Sequence, residues 1–113
     1  MASHFRTWAA YQKAFRLALK LDQLSKDFPP NERFKLTDQI SRSSRSVCAS
    51  LGESFGKRRY PKHFISKITD APSENFETQV WLDVALAKGY LKRPYYEELI
   101  SNSEEVGRLL TYM

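Results

Sequence analysis

A chain of 113 residues and 13.2 kDa, 42% hydrophobic and 13% aromatic, has material for one domain with one modest core and too little for two. With 27% charged residues and no window of about 18 consecutive apolar ones, it is neither a membrane span nor a disordered chain. The net charge of +5 is split: residues 1–62 hold 13 Lys/Arg against 5 Asp/Glu (net +8), residues 63–113 hold 5 against 8 (net −3), a polarity that suits a polyanion-binding face or head-to-tail self-association.

Helical periodicity dominates. Glycine is scarce, no run alternates with period two, and breakers at Phe28-Pro29-Pro30-Asn31, Arg59-Tyr60-Pro61 and Gly89 through Pro94 cut the chain into four helical stretches. The first, about Phe5 to Lys26, carries Ala10, Ala14, Leu17, Leu21, Leu24 and Phe28 on one stripe and Trp8, Tyr11, Phe15 and Ala18 beside it. That face is wide enough for two neighbours, or for one neighbour and another subunit. The second is expected to start near Asn31 or Glu32, with Asn31 as N-cap, on the core line Leu36, Ile40, Ser44, Val47, Leu51 and Phe55. Its six serines between Ser41 and Ser54 suit either close approach of a neighbouring helix or a tolerant surface.

The third stretch opens at Pro61, carries Phe64, Ile65, Ile68, Phe76, Val80, Trp81, Val84, Ala85 and Ala87, and ends at Gly89. Pro72 inside it predicts a kink or a short break within one long element. The fourth starts around Arg93-Pro94 and repeats Tyr96, Leu99, Ser103, Val106, Leu110 and Met113. Short connections make successive helices antiparallel neighbours, so the expected fold is an all-α, up-down-up-down four-helix bundle in a single domain spanning residues 1–113.

Tools for catalysis are few. The chain has two histidines, His4 and His63, no Glu-x-x-His pair for a di-metal site and no phosphate-binding glycine loop. Cys48, the single cysteine, forms no internal disulfide or Cys-pair zinc site and reads as an inert, buried thiol; with no secretion-type start, a cytoplasmic protein without a cofactor is expected. Glu97-Glu98 and Glu104-Glu105 point about 100° apart within each pair and read as a solvated face. The basic residues are more informative. Lys57, Arg58, Arg59 and Lys62 cluster at the turn between the second and third stretches, Arg42 and Arg45 share a helix face, and Tyr60 within the cluster could stack on a base. Asp38 to Arg42 is also an ordinary four-residue ion pair. Gln39 and Glu53 read as polar residues at the core margin, with Arg42, Arg45, Glu77 or Gln79 as candidate partners.

The run Phe28-Pro29, Glu32, Leu36-Thr37-Asp38-Gln39-Ile40, Arg42, Ser46-Val47 and Glu53, followed by Glu77-Thr78-Gln79-Val80-Trp81-Leu82 and Gly89-Tyr90-Leu91, resembles the four-helix-bundle family named for the 23S rRNA intervening sequence. The resemblance runs from about Phe5 to Leu110. It departs from the family at Ser50-Leu51-Gly52-Glu53-Ser54, where the pattern has Asn-Ile-Ala-Glu-Gly, and at Pro72. The resemblance implies a bundle that assembles as a homopentameric ring. A related branch, the accessory variability determinants of diversity-generating retroelements, is a basic pentameric partner of a reverse transcriptase and binds nucleic acid. The expected function is thus a non-enzymatic homo-oligomer that binds RNA or another nucleic acid through Arg42, Arg45, Lys57, Arg58, Arg59 and Lys62, with Gln39, Glu53 and Glu77 as polar residues of the subunit contacts or of the bundle itself. The rival is an oligomeric scaffold for a protein partner such as a reverse transcriptase, without direct nucleic-acid contact.

Overall fold

The computed structural model describes residues 4–113. A 3₁₀ turn, Phe5–Thr7, leads into α1 (Ala9–Ser25); a second, Pro30–Glu32, precedes α2 (Leu36–Gly56); then follow α3 (Pro61–Ile68), α4 (Asp70–Ala87) and α5 (Arg93–Thr111). α3 and α4 are two segments of one rod, so the architecture is a four-helix bundle. α1 packs on α2 and α5, and α4 packs on the same two helices. Cross-links fix the directions. Ser50 meets Glu74 and Ser43 meets Thr78 between antiparallel α2 and α4, while Lys13–Glu105 and Lys20–Glu98 do the same between α1 and α5.

The helix ends follow local chemistry. α1 begins at Ala9, later than the expected start near Phe5, because Thr7 donates its hydroxyl to the His4 carbonyl at 2.7 Å and Trp8 is extended. α2 also begins later, and Asn31 is not its cap. Lys35 holds the N-cap position without a side-chain cap, and the Glu32 carboxylate accepts from the first helical N–H, that of Leu36, at 3.4 Å and, at its other oxygen, from the Tyr90 hydroxyl at 2.8 Å, with Lys88 Nζ at 3.4 Å. These contacts tie the Phe-Pro…Glu segment to the Gly89-Tyr90-Leu91 turn, and they hold the Glu32 carboxyl below its ordinary range, the Tyr90 hydrogen bond contributing most. Gly89 ends α4 at φ +77°, with Tyr90 N–H donating to Ala85 O and Gly89 N–H to Leu86 O, a Schellman motif that a side chain would strain.

The expected break in the third stretch falls at Thr69, and Pro72 lies in the first turn of α4, where a missing N–H costs no helical bond. The Thr69 hydroxyl lies 2.8 Å from the Ile65 carbonyl and 3.0 Å from that of Ser66, covering acceptors at the end of α3.

The core has two apolar clusters. Leu17, Leu21, Phe28, Leu36, Ile40, Leu82, Ala85, Leu91 and Leu99 fill one end, and Ala10, Ala14, Val47, Leu51, Ala71, Val106 and Leu110 the other. Between them lies a buried polar belt. Asn75 donates to the Ser103 carbonyl at 2.9 Å and accepts from the Ser103 hydroxyl at 3.0 Å; Gln79 donates to that hydroxyl at 3.0 Å. Thr78 Oγ1 lies 2.9 Å from Ser43 Oγ, so the serines of α2 do serve close approach to α4. Every member of the belt is satisfied, which removes the desolvation penalty of an unpaired buried polar group.

Apolar expectations fail on the third rod and at the C-terminus. Ile65, Phe76 and Val80 point outward, 58%, 63% and 51% exposed, while Asn75 and Thr78 take the core positions. Met113 lies beyond the end of α5 and is exposed.

Candidate nucleic-acid interface

α2 ends at Gly56, and its last carbonyls are taken by successive turns: Lys57 N–H on Ser54 O, Arg58 N–H on Phe55 O, Tyr60 N–H on Lys57 O. Pro61 then opens α3 with its fixed φ. This tight corner projects Lys57, Arg58, Arg59, Tyr60, Lys62 and His63 into solvent. Cations here also face the negative end of the α2 dipole. Arg58 is held twice, its guanidinium 4.2 Å over the Phe55 ring and donating to the Phe55 carbonyl at 3.0 Å. Among the described residues, no carboxylate lies within 4.0 Å of Lys57, Arg58, Arg59 or Lys62.

The other two arginines stand apart from this corner. Arg45 and Arg42 lie 12 and 15 residues earlier on α2, roughly 20 Å along the axis at the helical rise. Arg45 donates to Asp22 of α1 at 2.8 Å, and Asp22 also accepts from Ser41 at 3.1 Å. Arg42 is 3.9 Å from Asp38, the ion pair expected from spacing. The six basic residues therefore form two groups, of which only the corner is unpaired.

Of the polar candidates, Glu53 pairs with Lys67 at 2.8 Å instead of the partners expected from sequence; Lys67 also reaches Asp70 at 3.5 Å, and these contacts, Glu53 first, raise the Lys67 ammonium above its ordinary value. Gln39 is half-buried and Glu77 exposed. Gln79 serves the polar belt through Ser103. Cys48 is half-buried, and burial pushes its thiol up to about 11, consistent with an unreactive group.

One part of this end is invisible in the linear sequence. His4, Phe5 and Trp8 gather around Phe55, with ring centroids 5.0, 5.8 and 5.9 Å from it, and Arg6 lies 4.9 Å over the Phe5 ring. This brings Arg6 to the end of the bundle that holds the corner. Its signal was the aromatic spacing at the chain start, which reads equally well as a helix stripe until Phe55 supplies the partner.

The fold and the basic corner define a class: a small antiparallel four-helix bundle with a polycationic end. Residues 6–112 match the model of the 23S rRNA-intervening sequence protein family, and the chain belongs to that family. It is also similar to a crystal structure of a protein with unknown function from the S23 ribosomal protein family of Bacteroides thetaiotaomicron VPI-5482. That similarity has 28% identity and a TM-score of 0.82, over 91% of this chain and 92% of the other. No curated protein matches the chain. None of the helices is long and apolar enough to cross a membrane among the described residues.

Proposed function

We propose that this protein is a non-enzymatic homo-oligomer, a ring of five copies, that binds RNA or another nucleic acid in the cytoplasm without a cofactor. The observation that carries the binding is the corner of Lys57, Arg58, Arg59 and Lys62, four cations side by side with no carboxylate of the described residues within 4.0 Å of them. Surface cations with partners gain little by meeting phosphate, since the existing pair must first be broken; unpaired ones exchange only counterions. Arg42 and Arg45 accordingly play a lesser part than the corner. Family membership supports the reading, because the family takes its name from sequences that lie within 23S rRNA.

Self-assembly is supported by apolar side chains left in water. Phe76 and Val80 occupy successive turns on the outer side of α4, with Glu77 beside them, and Leu19 and Tyr95 are 59% and 57% exposed near the α1–α5 groove. A helix that is apolar on both its inner and outer sides gains by covering the outer one. Five copies would bring about +25 of net charge together and multiply weak phosphate contacts.

Fluorescence anisotropy with mixed RNA at low and moderate salt tests the binding. The expected outcome is binding at low salt that collapses in the Arg58→Glu/Arg59→Glu variant. Undiminished binding by that variant would refute it. Sedimentation tests the assembly separately: a 13 kDa monomer at micromolar concentration would contradict the ring.

A further inference from the structure

Beside the basic corner lies an open cavity of about 370 Å³ lined by Glu53, Gly56, Lys57, Tyr60 and His63. We propose that this cavity takes one unpaired nucleobase bearing adjacent N–H donors, guanine foremost, stacked on Tyr60 and hydrogen-bonded to Glu53; this deepens, and rests on, the nucleic-acid reading above.

Two observations and one chemical step carry it. Tyr60 is 62% exposed within a run of cations, between Arg59 and the backbone-fixing Pro61. Its ring has only an edge contact with His63, centroids 6.0 Å apart, which leaves most of the ring in solvent. An aromatic surface held open beside phosphate-binding cations is the pairing that single-stranded nucleic acid needs, because every base has a face to stack and every nucleotide a phosphate to neutralise.

The second observation is the carboxylate. A cavity made for phosphate would not be lined by Glu53, whose charge repels an anion. Glu53 is exposed, and Lys67 takes one lone pair of its Oε2, at 2.8 Å, which leaves the other lone pair of Oε2 and both of Oε1 to offer. The cavity therefore suits a ligand that is neutral and donor-rich, with its phosphates on the rim at Lys57, Arg58, Arg59 and Lys62.

The third step is chemical. Guanine presents N1–H and the N2 amino group side by side, and a carboxylate accepts from two parallel donors as it does from a guanidinium. Uracil presents one N–H between two carbonyl oxygens that face the carboxylate unfavourably. In a duplex that edge of guanine is already paired, so the cavity discriminates against double strands as well. Cytosine and adenine, each with one exocyclic amino group, fall between.

Anisotropy with labelled heptanucleotides tests this: one all-uridine, one with a single central guanosine, and a hairpin of about seven base pairs whose strands are joined by a non-nucleotide linker, so that it offers no unpaired base. The guanosine strand is expected to bind roughly tenfold tighter than the all-uridine strand, within the range of one stacked and hydrogen-bonded base. Tyr60→Leu should lose roughly tenfold on single strands and nothing on the hairpin, while Tyr60→Phe retains the wild-type values. Glu53→Gln should abolish the guanosine preference without abolishing binding, and unchanged thermal melting of each variant shows that its fold is intact. Equal affinity for all three probes, or Tyr60→Leu with unaltered single-strand affinity, overturns the cavity as a base site and leaves the basic corner standing. Absence of binding to every probe at low salt overturns the nucleic-acid reading itself.

Discussion

Glu74 carries a charge into the α2–α4 seam. Its Oε1 accepts from the Ser50 hydroxyl at 2.5 Å, yet burial, the largest influence, raises its carboxyl above the ordinary value; Ser50 and Ser46 oppose the shift without cancelling it. A carboxyl whose pKa is raised by folding contributes stability that is complete below its unfolded value, about 4.3, and is lost as pH rises through the folded value. At neutral pH the ionised Glu74 is thus a net burden. Glu74→Gln keeps an oxygen for Ser50 and discards the charge, so its melting temperature should exceed that of the wild type at pH 7. The gap should close at a pH below both values. Melts of the two proteins at neutral and acid pH check this, and a lower melting temperature for the variant at pH 7 would show that the charge is favourable. Glu32 has the opposite sign. Its carboxyl is lowered, chiefly by the Tyr90 hydroxyl, so its contribution is present above the unfolded value and lost on acidification. The wild type therefore loses the Glu32 clasp while gaining at Glu74, and only the comparison with the variant separates them.

Contrast between faces decides which helices were legible from sequence. α1 and α5 place Ala10, Ala14, Leu17 and Leu21, and Leu99, Val106 and Leu110, inward at helical spacing, and these core residues are readable one by one, though Phe15 and Met113 of the same stripes are exposed. α4 was not, because it reverses the usual rule: Phe76 and Val80 face out while Asn75 and Thr78 face in. Periodicity registers greasy against polar and is blind to size, whereas the α2–α4 seam selects for small side chains. The Ser43–Thr78 hydroxyl contact at 2.9 Å leaves no space for a branched chain. Ser43→Leu should accordingly destabilise the protein by about 1–3 kcal/mol through overpacking, whereas Ala49→Leu, at an exposed position of the same helix, should change stability by less than about 0.5 kcal/mol. Urea denaturation of both variants measures the difference, and equal costs would mean that the seam is looser than its geometry. The same limit held for caps and for the site. Asn31 reads as a cap because the carboxylate that serves the first N–H of α2, Glu32, is fixed by Tyr90 from 58 residues away. The corner at Lys57–Lys62 was legible because it is contiguous. Arg45 reads from the sequence as a free phosphate contact because its partner, Asp22, arrives from another helix.

At the scale of the whole molecule, salt dependence reports how many corners act together. The bundle is a rod of 46 × 25 × 18 Å with the basic corner at the end where α2 turns into α3. Each phosphate neutralised on a single strand contributes about −0.7 to the slope of log affinity against log salt. One corner, Lys57, Arg58, Arg59 and Lys62, therefore supplies a slope of about −3 at most, provided that each cation meets one phosphate. A short oligonucleotide that spans a single corner should give that value or less, whatever the oligomeric state. A strand long enough to pass from one copy to the next should give a steeper slope in a ring, because the second corner then binds at high effective concentration. In a monomer the slope should stay the same as length increases. Anisotropy titrations of a short and a long strand over a series of salt concentrations separate the two cases. Arg58→Glu/Arg59→Glu supplies the control: it should flatten both curves, since it removes half of the cations in every corner and sets repulsive charges in their place. A steep slope that survives this double reversal would place the phosphate contacts elsewhere on the surface, with Arg42, Arg45 and Arg6 the next residues to reverse.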